Sequence, residues 1–202
     1  MDPNKMMNHV MRMARLDTSV FDEVRDDATE LVPALVVAAI SCLLAGLGAF
    51  LYWQVVPSSF FDLGGGFLNT VILGTIFTAA MYGVGMILVV YVVLVQVYKV
   101  QVDLQALTRT MGYAAAPFGL SVLMFIPMIW PVFALVPLSL SFVMTIYAAQ
   151  SASGAESKQV VMACAAGMVV AVAVLGFIAL GMTSDGDVPI GAGVFSTLLD
   201  IS

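Results

Sequence analysis

The feature that most constrains this chain is a run of 41 residues, 110–150, without a single charge. A helix crosses the ~30 Å apolar core of a bilayer with roughly 20 residues, so the run is too long for one crossing and must turn. Pro127 and Pro131 bracket Trp130 near its middle. Proline removes an amide donor and turns the preceding residue away from helix, and tryptophan favours the membrane–water interface. A tight helical hairpin with its tip at Met128 to Trp130 is the expectation.

Composition makes the membrane setting general. The chain is 61% hydrophobic and only 10% charged, against about 25% charged in a soluble domain. Its mean hydropathy is +1.05. The net charge of −6 says little about partners, because seven of the thirteen acids precede Leu31 and three follow Thr183. No basic stripe for nucleic acid is present. Cys42 and Cys164 both lie in apolar segments, where a small buried residue is the reading rather than a disulfide or a metal ligand. The first thirty residues hold many acids and no continuous apolar core, so the first helix is expected to be an uncleaved anchor.

The expected fold is all-α and polytopic: an arm over 1–30, helices over about 31–56, 67–98, 110–127, 131–150 and 160–182, and a tail over 183–202. In the arm, Met6 and Val10, like Met7 and Met11, stand four apart among Lys5, His9, Arg12 and Arg15. That pattern fits a short helix lying in the interface, or a methionine-rich terminus that orders on a partner. Asp17, Thr18 and Ser19 offer capping groups. Val20, Val24, Ala28 and Leu31 then follow at helical spacing opposite Asp22, Glu23, Asp26 and Asp27. The acids read as a solvated face or as a metal or partner site. Residues 67–98 contain no charge and form either one long helix or two short crossings broken near Gly83 and Gly85.

Charge placement decides the topology. With the N-terminus inside and five crossings, Lys5, Arg12, Arg15, Arg25, Lys99, Arg109 and Lys158 all face the cytoplasm, which is every Lys and Arg in the chain. Splitting the second stretch would move Lys99 and Arg109 outside. A multi-pass protein of the cytoplasmic membrane, N-terminus in and C-terminus out, is therefore expected. Its surroundings would be lipid and other integral membrane proteins.

The stretch Arg109-Thr-Met-Gly-Tyr-Ala-Ala-Ala-Pro117, with Ile126 and Pro127, resembles the lead-in to helix three and its exit in the YIP family, the Ypt/Rab-interacting proteins. The segment from Arg15 to Glu23 is similar to the one preceding helix one in prokaryotic members. The resemblance implies five helices and a cytoplasmic N-terminal region. Eukaryotic members are linked to membrane traffic and small GTPases, but their Asp-Leu-Tyr-Gly-Pro motif is absent here, which leaves GTPase binding doubtful. For prokaryotic members the family supplies no defined activity.

Chemistry is sparse. No Asp, Glu, Lys, Arg or His falls at mid-depth in any expected helix, whereas proton relays and ion pumps need such groups. His9, the single histidine, lies in the arm, away from any cofactor in the core. Gly64 to Gly66 is not followed by Lys-Ser or Lys-Thr, so it is no phosphate loop. Ser41, Asn69, Thr70, Thr75, Thr78, Gln96, Ser121, Ser139, Ser141 and Thr145 suit contacts between helices, or a path for a neutral solute. The expectation is no catalytic residue, no cofactor and no metal. Gly112, Tyr113, Ala115, Pro117, Pro127, Trp130 and Pro131 are the packing or interaction candidates. Met6, Met7, Val10, Met11, Arg12 and Arg15 are the candidates for a partner-binding arm. A non-enzymatic scaffold or assembly protein leads. An accessory subunit of a larger complex, an energy-transducing one included, and a small neutral-solute transporter are the alternatives.

Overall fold

The computed structural model describes residues 2–55, 67, 71–72, 74–126 and 128–182. It is helical throughout, 87% by residue, with no strand among the described residues. In chain order α1 (Pro3–Ala14), α2 (Val20–Asp26) and a 3-10 turn (Ala28–Glu30) lead into α3 (Leu31–Val55). Then come α4 (Gly74–Ala80), a π-helix (Met81–Leu88), α5 (Val89–Val92), a second π-helix (Val93–Val97), α6 (Leu104–Ala114) and a 3-10 helix (Ala116–Phe125). Helices α7 (Trp130–Ser153) and α8 (Ser157–Met182) complete the bundle. Among the described residues three helical stretches are long and apolar enough to cross a membrane: Ala28–Tyr52, Thr78–Val97 and Trp130–Ser153. The second of these runs unbroken through Gly83 and Gly85, as a π-helix. The expected tail and the loop over 57–66 lie outside the described residues, as does Pro127.

Local chemistry sets the arm. Asp2 caps α1 by accepting from the Asn4 amide, and Pro3 sits in the first turn, where its missing donor costs nothing. The helix ends with Leu16 at φ 62°; the Leu16 and Asp17 amides return to the Met13 and Arg12 carbonyls. This is a Schellman closure with leucine where glycine is usual. Asp27 accepts from both the amide and the hydroxyl of Thr29, which starts the turn into α3. Along α3 the buried positions include Ala34, Val37, Ser41, Cys42, Ala45, Gly46, Gly48, Ala49 and Tyr52, while Val32, Leu35, Ile40 and Leu43 point outward. Small residues inside and large apolar ones outside is the arrangement of helices that meet each other within lipid.

The tightest contact joins α3 to the 3-10 helix. A Cβ added at Gly48 would lie 2.1 Å from the carbonyl oxygen of Ser121 and 2.7 Å from Cα of Val122, so two backbones touch there. The sequence predicts an α-helix over 110–127, and the structure differs. The α-helix begins earlier, at Leu104 behind an Asp103 cap, and stops at Ala114. Pro117 cannot donate to an α-helical ladder, and the Phe118 amide bonds to Ala115, three residues back. Burial at Phe118, Ser121 and Met124 follows the resulting period of three. The turn after Ile126 exposes Met128 (94%) and leads into Trp130, whose ring lies 5.3 Å from that of Tyr52. Pro131 occupies the first turn of α7. Pro137 is inside α7, buried, a feature the proline-pair reading passes over.

One buried hydroxyl joins the first π-helix to α6 and α7. The Tyr82 hydroxyl reaches the Met111 carbonyl and the Thr145 hydroxyl, each at 2.9 Å. On the other side, Gly85 and Gly167 let the first π-helix and α8 approach: a Cβ at Gly167 would stand 3.2 Å from Sδ of Met86, and one at Gly85 3.2 Å from Cβ of Ala171.

Candidate functional site: the docked N-terminal arm

Ionisable side chains gather where α1 and α2 meet the bundle. Met6, Val10 and Met13 of α1 pack on the main core, to which Val20, Phe21 and Val24 of α2 belong. His9 falls on the same inward stripe and is 3% exposed. Its ring stands edge-on to Tyr113 of α6, centroids 5.5 Å apart at 78°. The Tyr113 hydroxyl donates to Oε2 of Glu30 at 2.6 Å, and Nζ of Lys5 lies 2.8 Å from Oε1. Glu30 is itself 3% exposed. One buried carboxylate thus ties α1, the start of α3 and α6 together.

A more exposed shell surrounds it. Lys5 also donates to Asp27 at 2.6 Å. Arg12 grips Glu23 with two hydrogen bonds of 2.8 Å and Asp17 with one of 2.9 Å. Arg25 pairs with Asp22 and Asp26 and donates to the Ser151 carbonyl, while the Ser151 hydroxyl donates to Asp22. A shallow cavity of about 290 Å³ opens there, against Tyr147 and Gln150. Arg109, nearly buried, donates to the carbonyl of Arg25 at 2.7 Å. The acid run on α2 is therefore the binding counterpart of the arm's own basic residues rather than only a solvated face.

The charges respond accordingly. Hydrogen bonds to Asp27 and then Glu30 raise the Lys5 ammonium above its usual range. The Lys5 bond, with help from Thr29, holds Asp27 well below the carboxylate range. Arg12 lowers Glu23, and Asp26 is lowered by Arg25. Burial lowers the His9 imidazole from 6.5, against the pull of Glu30. Both oxygens of Glu30 are occupied, and His9 stands 3.8 Å from Glu23 and 3.9 Å from Glu30, beyond hydrogen-bond reach. The arrangement is equipped to clamp an arm.

The sequence candidates divide between two places. Gly112, Tyr113 and Ala115 are buried together; a Cβ at Gly112 would sit 3.0 Å from Cβ and from the carbonyl oxygen of Ala34. Pro117 opens the 3-10 helix, and Trp130 and Pro131 lie at the far end of the bundle with Tyr52. The arm's methionines do not share one apolar face. Met6 and Val10 point inward, whereas Met7 (55%) and Met11 (51%) remain exposed, because 3.6 residues per turn carries neighbours to different sides. Arg12 is spent on Glu23 and Asp17, and Arg15 is exposed. Sequence reasoning missed Lys5, His9 and Glu30 as site residues. The signal was available in the spacing of Met6, His9, Val10 and Met13, which places the imidazole on an inward stripe. No protein-family model, curated protein or solved structure matches the chain.

Proposed function

We propose that this chain is a non-enzymatic membrane protein that acts by binding other membrane proteins through its N-terminal arm. One observation carries the reading: α1 is clamped to the bundle by its inward side while Met7 and Met11 stay open on the other. Flexible, polarizable methionines suit a surface that adapts to a partner. The unpaired exposed charge of Arg15 beside them would bias which partner is accepted. The likeness of residues 109–117 to the YIP family supports the architecture of the proposal, five helices with a cytoplasmic N-terminal region.

Five crossings with the N-terminus inside belong to the proposal. Segregation of all seven basic residues supports it, as does the length of α8, 26 residues. The part of α6 beyond Arg109 and the 3-10 helix together rise roughly 28 Å at 1.5 and 2.0 Å per residue, close to a ~30 Å core.

A photoactivatable cross-linker placed at Met7 or Met11 in native membranes tests the reading. Discrete protein adducts from both positions, and none from a cross-linker at buried Met13, are expected. Adducts to lipid alone would overturn it. Solute flux by the purified protein in liposomes would replace it with the transporter.

A further inference from the structure

We propose that the arm is a proton-released clasp: uptake of a proton by His9 undocks α1 from the bundle. The inference deepens the reading above, as regulation of the same arm, and rests on it only for what release would accomplish.

The geometry is specific. Nδ1 of His9 is buried and has no hydrogen-bond partner. The groups facing the ring are the Tyr113 hydroxyl from α6, Glu30 from the turn into α3, and Glu23 from α2. Lys5 and Arg12 flank it on α1 itself. Each carboxylate already has its close donors. Glu30 takes Lys5 and Tyr113, and Glu23 takes two bonds from Arg12. The remaining acids nearby, Asp27 and Asp17, are held by Lys5 and Arg12 and reach solvent. A neutral imidazole fits this pocket edge-on to Tyr113, on the same inward stripe as Met6 and Met13. A charged one finds Glu23 and Glu30 only at 3.8 and 3.9 Å, both already bonded to other donors, and its own Nδ1 is shut off from solvent. Burying an ionised group without a bonded partner is costly, and α1 can avoid the cost by leaving, since a single face holds it. Release would uncover Tyr113 and Glu30 and add Met6 and Met13 to the exposed Met7 and Met11.

The test uses the full chain in liposomes, with Cys42 and Cys164 replaced by alanine. Spin labels are placed on cysteines introduced at Asn8 and Glu156, both exposed. Distances between them are followed from about pH 8 to about pH 5, on either side of the ordinary histidine value near 6.5. One narrow distribution at the upper end, giving way to a longer and broader one at the lower end, is expected. His9→Phe and His9→Met should keep the narrow distribution throughout. A wild type that stays narrow overturns the proposal. So does broadening in both variants at the wild-type pH, or variants already broad at pH 8, because a neutral side chain at this position must suffice to hold the arm. Release with pH in a protein that cross-links to no partner would keep the clasp and remove the binding reading.

Discussion

The hydroxyl of Tyr113 donates to the carboxylate of Glu30 across 2.6 Å, joining residues 83 apart in the chain, both nearly sealed from solvent. Tyrosine is used here for its one polar atom: the ring packs against His9, and the oxygen satisfies a charge that has little water to turn to. Tyr113→Phe keeps the ring and deletes the bond. Hydrogen bonds to charged groups contribute about 1.5–3 kcal/mol, and the deserted oxygen of Glu30 adds its desolvation cost. A fall in melting temperature in mild detergent is expected. An unchanged value would mean that Lys5 alone satisfies Glu30.

Gly48 offers a sharper steric test. A methyl group there would overlap the Ser121 carbonyl, and backbone on both sides leaves nothing flexible to yield. Gly48→Ala should cost about 1–3 kcal/mol or more, the range of overpacked cores. Gly83 is the control, because among the described residues nothing outside its own helix backbone lies within 4 Å of its added Cβ. Gly83→Ala should be neutral, or stabilising by up to about 1 kcal/mol through helix propensity. Equal effects in thermal denaturation would refute the backbone contact. Ala115, fully buried, should tolerate leucine as poorly as Gly48 tolerates alanine.

Acid should act on the arm twice. The folded protein holds Asp27, Glu23 and Asp26 below their ordinary values, so they contribute stability that is present above about pH 4 and lost as pH falls through the folded values. His9 is also lowered. Its contribution is complete above the unfolded value of 6.5 and declines as pH drops beneath it, while the unfolded chain takes up the proton first. Wild-type arm docking should therefore weaken in a step below pH 6.5 and again below about pH 4. In His9→Phe the second step alone should remain, read as amide exchange in α1.

Topology can be read with a membrane-impermeant thiol reagent on intact cells, using single cysteines in a background without Cys42 and Cys164. Ser184→Cys should label and Gln105→Cys should not. The reverse pattern would invert the orientation, and labelling of both would remove the five-crossing count.

Much of this was readable in residue order, and the exceptions share a cause. Uncharged runs announce membrane helices because the backbone must satisfy itself in lipid. Gly112, Ala114 and Ala115 announce a packed face because such small side chains bring backbones close, and Gly112 meets Ala34. What stayed hidden depends on partners distant in sequence. Nothing near His9 indicates Tyr113, about a hundred residues away, and nothing near Glu30 indicates that an acid beside a membrane helix will find both a lysine and a phenol. Residues 116–125 concealed their 3-10 form for another reason. They are apolar nearly all round, so neither a period of 3.6 nor one of 3 stands out until a neighbour buries one side.

That 3-10 form makes the segment a spacer of set length. Ten residues advance about 20 Å in this winding and about 15 Å as an α-helix. Rewinding would draw the Met128 tip toward α6 by about 5 Å and pull the Trp130 ring off Tyr52. The Gly48–Ser121 contact, by fixing the middle of the segment against α3, acts as the pin that keeps the spacer from shortening.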